Sequence, residues 1–297
     1  MPPSQFDIAW EDLRALPVVH PDINTQVNIS DFLDRETAEA DALIAKYERL
    51  LELLEEKRVA LITQVVTKGL DPNVPIKDSG VEWIGKIPAH WKIGPLKRFC
   101  RVVDCKHVTV DFWDEGIPVA SVREVQEFDL NLDSANRTST ESYSEMVEGG
   151  RRPQRGDIIY CRNVSVGAAA YVNTDEAFAM GQDVCLIRSN IDGRFLNYVL
   201  HSSMMRDQLN MVCIGATFNR INVATIRELV IPWPSSDEQT RIAHYLDQQC
   251  SMLNELKNAV KRAKVLARER RSALITAAVT GQIDVTTYKS GTTMEVS

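Results

Sequence analysis

Two stretches of the chain place apolar residues at alternating spacings of four and three, a period typical of long helices that pack along one another. The first stretch covers about 29–67, and only Arg58 interrupts its apolar series of Ala40, Ile44, Tyr47, Leu51, Leu54, Leu61 and Val65. The second covers about 237–280 with smaller residues: Leu253, Leu256, Val260, Ala263, Ala267 and Leu274. A buried helix face in a compact core would show a similar stripe. The length and the period favour a coiled coil.

Charge supports pairing of the two helices. The first helix is rich in acidic residues, and the later half of the second is rich in basic residues. Opposite charges beside an apolar seam help to select the partner and its orientation. The basic run could instead contact DNA phosphates or another subunit.

An internal repeat contains both helices. Residues 8–71 align without gaps to residues 221–284, at a constant offset of 213. The clearest match joins Arg58-Val-Ala-Leu-Ile-Thr63 to Arg271-Ser-Ala-Leu-Ile-Thr276. Each copy reads as a short apolar stretch, a polar turn with helix-capping residues at 28–31 or 235–237, and a long helix. One structural unit therefore occurs twice, around a unique domain.

The segment between the copies has the pattern of a mixed domain. Short β-type runs occupy 117–121, 157–161, 167–172 and 183–187, and a helix is expected near 194–210. We therefore predict an α+β fold, with one mixed α/β domain and two long helices packed as an antiparallel coiled coil. The expected divisions are an N-terminal remnant (1–28), the first helix (29–67), the mixed domain (68–230), the second helix (231–284) and a flexible tail (285–297).

Composition argues against several classes of protein. No run of 18 apolar residues and no secretory signal is present, so a cytoplasmic protein without a membrane partner is expected. The motifs G-x-x-x-x-G-K-[ST], G-x-S-x-G and H-E-x-x-H are missing. Cysteines 100, 105, 161, 185, 213 and 250 are expected to be reduced thiols, and Cys100, Cys105 and His107 are too few for a zinc site. We therefore predict no catalytic residue, no metal and no cofactor.

Polar loops of the central domain suggest DNA binding. Arginine can bind guanine through two hydrogen bonds, and asparagine can bind adenine in the same way. The net charge of −7 is unusual for such a protein, although local charge matters more over a Debye length. For any single arginine, a surface or phosphate-positioning role is favoured over base reading, because half or more of protein–DNA hydrogen bonds go to the backbone. The candidate DNA-binding residues are Lys106, Arg123, Arg151, Arg152, Arg162, Asn163, Ser165, Thr217, Asn219 and Arg220.

Several segments together resemble one family, the specificity subunits of Type I restriction–modification systems. The first is residues 78–91, DSGVEWIGKIPAHW, which resemble the start of a target recognition domain in that family. The others are RGDII at 155–159 followed by Gly167, GATFNRIN at 215–222, IP at 231–232 with EQ at 238–239 and IAHYLD at 242–247, and ERRSALIT at 269–276 with VTG at 279–281. The resemblance covers nearly the whole chain.

The resemblance implies a DNA sequence-recognition subunit that carries no chemistry of its own. It implies double-stranded DNA, modification (methyltransferase) subunits and a restriction (motor–nuclease) subunit as partners. The family pattern has two recognition domains, and this chain has one, preceded by residues 1–28, which resemble the end of another recognition domain with its last strand from Phe6–Ile8 onward. A homodimer, pairing with another truncated specificity subunit and a silent cassette therefore remain open. So do a coiled-coil scaffold that reads no DNA and a subunit of a Type IIB or IIG-like system.

Overall fold

The computed structural model describes residues 9–126, 128–190, 192–213 and 220–288. The chain divides into two compact units. The helical unit comprises the residues up to Leu54 and those from Glu255, and the sheet unit comprises Glu55–Asn254. The long helices contribute to both units, and each unit is described by itself. None of the helices in the described part of the chain has the length and apolarity needed to cross a membrane.

The helical unit contains α1 (Trp10–Arg14), most of α2 (Ile23–Lys68) and the later part of α7 (Ser236–Val279). Phe32 of α2 packs with Leu274 and Ala278 of α7 in a small apolar cluster. Glu48 binds Lys264 and Arg268, at 2.9 and 3.1 Å, and Asp41 binds Arg271 at 2.7 Å. Because the α2 number rises while the α7 number falls along these contacts, the helices are antiparallel, as predicted.

Burial along the helices follows the predicted seam with one exception. Leu54, Val65, Val260 and Leu274 are buried, whereas Leu256 is 47% exposed. The interruption at Arg58 is also buried, and its guanidinium lies 4.4 Å from the ring centroid of Phe128 within the sheet unit. An aromatic face accepts a cation, so this charged residue occupies a seam position without being exposed.

The repeat is visible in the structure. Gln26 donates to the carbonyl of Pro21, and Gln239 donates to that of Pro234. Near the helix ends, Thr67 donates to Thr63, and Thr280 donates to Thr276. These pairs keep the offset of 213, so the sequence repeat is also a repeat of local structure.

The first helix of the repeat begins earlier than expected. Asp22 accepts hydrogen bonds from the backbone N–H groups of Asn24 and Thr25, and α2 therefore starts at Ile23 rather than near residue 29. In the second copy Ser235 and Glu238 exchange hydrogen bonds in a capping box, within the predicted capping segment.

The sheet unit contains short strands and helices in mixed order. Its strands are β1 (Ile76–Asp78), β2 (Lys86–Pro88), β3 (Lys92–Pro95), β4 (Cys100–Asp104), β5 (Ile117–Ala120), β6 (Val125–Gln126), β7 (Asp129–Leu130), β8 (Arg137–Thr138), β9 (Ile158–Cys161), β10 (Ala169–Tyr171), β11 (Ala179–Met180), β12 (Val184–Ser189) and β13 (Val230–Trp233). Its helices besides α2 and α7 are α3 (Thr140–Met146), α4 (Gly193–Leu200), α5 (Ser203–Cys213) and α6 (Val223–Glu228).

The largest sheet has the order β4-β12-β9-β10-β7-β6, and the smaller sheets are β11-β5-β8, β13-β3 and β1-β2. All four predicted β runs are strands. Strands β9 and β12 are buried over most of their length because neighbours flank them on both sides. The helix expected at 194–210 is two helices, α4 and α5, separated at His201 and Ser202. The Ser202 hydroxyl accepts from the N–H of Met205, which caps the start of α5.

The first copy of the repeat lacks the strand that the second copy has. In the second copy, β13 pairs with β3 in antiparallel register, from Val230 opposite Pro95 to Trp233 opposite Lys92. The equivalent residues 17–20 form no strand. The expected final strand of a preceding domain begins at Phe6–Ile8, which lies outside the described residues.

Candidate nucleic-acid interface

Polar loops gather at one end of the strands of the largest sheet. Strands β4 and β9 end there, and β12 begins there, because Asp104 pairs with Cys185 and Cys161 pairs with Val184. Arg220 joins the same place through a β-bridge to Asn163. We call residues 104–108, 162–168, 181–183 and 220 the loop edge. It collects several of the predicted DNA-binding residues in one region.

Arg162 is the buried cation of the loop edge and is 4% exposed. Its guanidinium lies 3.1 Å from a carboxylate oxygen of Asp104 and donates to the Gln182 carbonyl at 2.8 Å. These contacts hold three chain segments together. A base edge has no access to this guanidinium in the structure, so we do not retain Arg162 as a base-reading residue.

The turn after β9 carries the exposed tip of the loop edge. Asn163 is fixed because its amide donates to Asp183 and its side-chain oxygen accepts from the N–H of Val164. Val164 has φ of 60° and is 70% exposed. The N–H of Ser165 donates to the Asn163 carbonyl at 2.7 Å, which closes a tight three-residue turn. Ser165 and Arg220 are exposed beside this turn.

Lys106 and Arg151 lie near the loop edge but already have partners. Lys106 donates to Glu148, and this hydrogen bond raises the pKa of the lysine and lowers that of the glutamate. Arg151 donates to the carbonyl oxygens of Asp104 and Glu148. Binding of DNA by Lys106 would require exchange of Glu148 for phosphate, whereas Arg151 can keep its carbonyl contacts.

The other predicted residues are more scattered. Arg152 is exposed, and its carbonyl accepts from Arg188. Arg123 is exposed in a separate turn after β5, with its guanidinium 3.8 Å from Glu124. Thr217 and Asn219 lie outside the described residues. The loop edge therefore unites Lys106, Asn163, Ser165 and Arg220 at its surface.

The loop edge also contains a group of metal-ligand types. Ligand atoms of Asp104, Cys105 and His107 all lie within 4.8 Å of one another. The cationic guanidinium of Arg162 contacts both Asp104 and Cys105, and it repels a metal ion placed between them. Burial raises the pKa of Cys105 to about 11, which disfavours the thiolate that zinc requires. These residues therefore fit a hydrogen-bonded ion pair with Arg162 better than a metal site.

Sequence reasoning missed the residues that support the loop edge. Asp104, Gln182 and Asp183 hold Arg162 and Asn163 in place, yet each is a common surface residue with no distinctive spacing. Gln182 also donates to the carbonyl of Val108, which connects the loop after β4. No local signal marks such long-range contacts.

Two of the segments that carry the family resemblance have structural roles. The buried Trp91 donates to Glu238 near the start of α7, and His90 contacts the same carboxylate. In the RGDII segment, Asp157 accepts two hydrogen bonds from Arg188. These two residues lie at the end of the strands opposite the loop edge. Both segments therefore stabilise the sheet unit.

The fold defines a class of α+β proteins that combine one sheet-rich unit with a pair of long antiparallel helices. A family model described as the Type I restriction modification DNA specificity domain matches residues 88–266. This match covers more than half of the chain, which therefore belongs to that family.

Comparison with individual proteins agrees with this family. The chain is 23% identical to the MjaIX specificity subunit of Methanocaldococcus jannaschii over 167 residues, covering 55% of this chain and 38% of that protein. It is 24% identical to the MjaVIII specificity subunit of the same organism over 282 residues, covering 89% of this chain and 61% of that protein. Both relatives are Type I restriction enzyme subunits by description.

A solved structure has a similar fold. It is described as the structural basis of complex assembly and conformational transition of the type I R-M system. The TM-score is 0.59 at 20% identity, and the match covers 84% of this chain and 60% of that one. The chain spans less than two thirds of the length of each of these proteins.

Proposed function

We propose that this chain is the DNA sequence-recognition (specificity) subunit of a Type I-like restriction–modification complex. It directs methyltransferase and restriction subunits to a split target site in the cytoplasm and is itself non-catalytic. The observation that carries the proposal is the loop edge, where exposed Ser165 and Arg220 flank a turn that buried Arg162 and fixed Asn163 hold in place. A supported, exposed turn flanked by polar side chains suits base reading in a DNA groove.

The mixed domain, proposed as residues 68–230, reads one part of the target. The proposed helices at 29–67 and 231–284 set the spacing of the complex and offer a surface to the methyltransferase. Exposed apolar residues on the helical unit support this role, because Leu43, Leu50, Val265 and Leu266 are each at least 37% exposed. A partner subunit that covered them would remove apolar surface from water.

We further propose that the first copy of the repeat receives a second recognition domain of the same fold. Leu13, Leu16 and Val18 are 46%, 53% and 82% exposed. Their equivalents at offset 213, Ile226, Leu229 and Ile231, are at most 1% exposed within the sheet unit. A domain with a free β3-type strand would cover the first set as β3 covers part of the second.

The polypeptide that carries this second domain determines the symmetry of the target. In the sheet unit β3 is already paired with β13, so a second copy of this chain would have to offer another surface. Pairing with another truncated specificity subunit fits this geometry if its β3-type strand is unpaired, and a homodimer is the alternative that gives two identical half-sites.

The experiment is to map methylated bases in DNA from cells that express this chain with its modification subunit. A defined motif that disappears when this chain is omitted supports the proposed function. Methylation that is independent of sequence would instead favour a scaffold that reads no DNA. A two-fold symmetric split motif indicates the homodimer, and an asymmetric one indicates a second, different recognition domain.

A further inference from the structure

A basic groove lies along the outer edge of the largest sheet. Strand β4 is the edge strand, and the groove beside it has a volume of about 510 Å³. Its lining residues include four cations, namely Lys97, Arg101, Arg151 and Arg227, and one carboxylate, Asp104. The buried guanidinium of Arg162 binds that carboxylate. The groove therefore carries excess positive charge in a chain whose net charge is −7.

Two of the four cations are held in place by the backbone of the edge strand. Arg227 donates to the carbonyl of Val102 at 2.8 Å, and Arg151 donates to that of Asp104 at 3.0 Å. An arginine has five N–H donors, so each keeps donors available for a ligand. These contacts also cover the outward carbonyl groups of β4, which an edge strand would otherwise expose.

The other two cations have exposed ends. Arg101 is exposed on β4. Lys97 pairs with Glu228, but both side chains are more than half exposed. Such exposed ion pairs contribute little to stability, so an incoming anion can replace the glutamate.

A glycine turn also lines the groove and makes room for Arg151. Gly149 has φ of 68°, a left-handed conformation that favours glycine. A Cβ atom at this position would lie 2.6 Å from Nη1 of Arg151. The turn therefore lets the arginine fold back beside the groove.

We propose that this groove binds the phosphodiester backbone of one DNA strand beside the bases that the loop edge reads. The inference rests on the proposed function and adds a phosphate-binding site, of whose four cations only Arg151 is among the predicted DNA-binding residues. The groove joins the loop edge at Asp104, and its four cationic side chains are hydrogen-bond donors without acceptor atoms. Half or more of protein–DNA hydrogen bonds go to phosphate and sugar, and such contacts set the register on the duplex.

The test measures binding of the full chain to a random-sequence duplex and to a duplex with its methylation motif over a range of salt concentrations. Arg101→Gln and Lys97→Gln each remove one exposed charge from the groove. The matched control Arg155→Gln removes an exposed arginine, paired with Asp175, that precedes β9 at the end of the strands opposite the loop edge. Circular dichroism verifies that the variants fold as the wild type does.

Each groove variant should lower the slope of log K against log salt by about 0.9 and weaken binding about fivefold at 0.15 M salt. The loss should be equal on both duplexes, and Arg101→Lys should restore most of the affinity. The inference is overturned if the groove variants match Arg155→Gln while the wild type still prefers its motif. Submillimolar binding of inorganic phosphate that Arg101→Gln abolishes would also overturn it in favour of a small-anion site.

The proposed function can fail separately. A wild-type chain without motif preference, whose salt slope still falls in the groove variants, would refute sequence reading and retain the phosphate site. A wild-type chain that binds neither duplex, even at low salt, would refute both.

Discussion

Arg220 is the predicted DNA-binding residue that the structure leaves best placed to contact a base. It is exposed, and its backbone is fixed by the bridge to Asn163. If its guanidinium binds guanine through two hydrogen bonds, Arg220→Gln should cost about 1–3 kcal/mol of discrimination at one position of the motif. Methylation mapping checks this, with Arg155→Gln as the control for charge. Equal weakening on all sequences, with a smaller salt slope, would make Arg220 a phosphate contact instead.

Arg162 should affect the stability of the protein rather than its choice of target sequence. Arg162→Met removes the partner of Asp104 and the donor to the Gln182 carbonyl from a buried position. Because Asp104 is partly exposed, we expect a loss of about 2–4 kcal/mol in the free energy of unfolding rather than the full cost of a buried charge. Urea unfolding measures it, and Arg152→Met provides an exposed control. Unchanged stability together with a changed motif would contradict this role.

At the level of elements, helix pairing depends in part on Glu48. A hydrogen bond from Lys264 holds the pKa of Glu48 below its ordinary value of 4.5. A carboxyl group with a lowered folded pKa stabilises the protein above its unfolded pKa, and the contribution is lost as the pH falls through the folded value. The stability difference between wild type and Glu48→Gln should therefore be constant from roughly pH 8 to 6 and shrink below pH 4.5.

Urea unfolding at several pH values, monitored through the helical signal in circular dichroism, measures this difference. High salt should reduce it, because both partners are exposed to solvent. Asp31→Asn removes an exposed carboxylate from the same helix and serves as the control. A difference that persisted unchanged well below pH 4 would show that the Glu48 carboxylate is not responsible.

The elements also show which features a sequence can predict. The helix pair, the repeat and the main strands were predictable, because hydrophobic period and internal identity are local or directly visible. The early start of α2 was missed because Asp22 caps the helix ahead of the apolar seam. The burial of Arg162 was not predictable, since Asp104 and Gln182 reach it only through strand pairing. Of the site, the sequence identified the turn after β9 but not its supporting contacts.

For the whole molecule, the two copies of the repeat differ in what surrounds them. Asp247 in the second copy accepts hydrogen bonds from Tyr198 and Arg194 within the sheet unit. The identical residue in the first copy, Asp34, is exposed. Together with exposed Leu16 and Val18, this difference supports the proposal that the first copy receives a recognition domain.

This leads to a prediction about a fusion protein. A copy of the sheet-unit residues 77–220 joined directly before Ile8 recreates the junction between Arg220 and Ile221, because Ile8 and Ile221 are equivalent in the repeat. The added domain should pair with residues 17–20 and bury Val18, since β3 pairs with the equivalent residues of β13. With the modification subunit, the fusion should methylate a motif that contains the present half-site twice.

Val18→Asp places a charge in that interface, at the position whose equivalent in the second copy, Ile231, is buried. This variant should return the fusion to the motif of the unfused chain. Val212→Asp, at an exposed apolar position on α5, is the matched control and should leave the doubled motif intact. If the doubled motif survives Val18→Asp, the first copy does not seat a recognition domain through this strand.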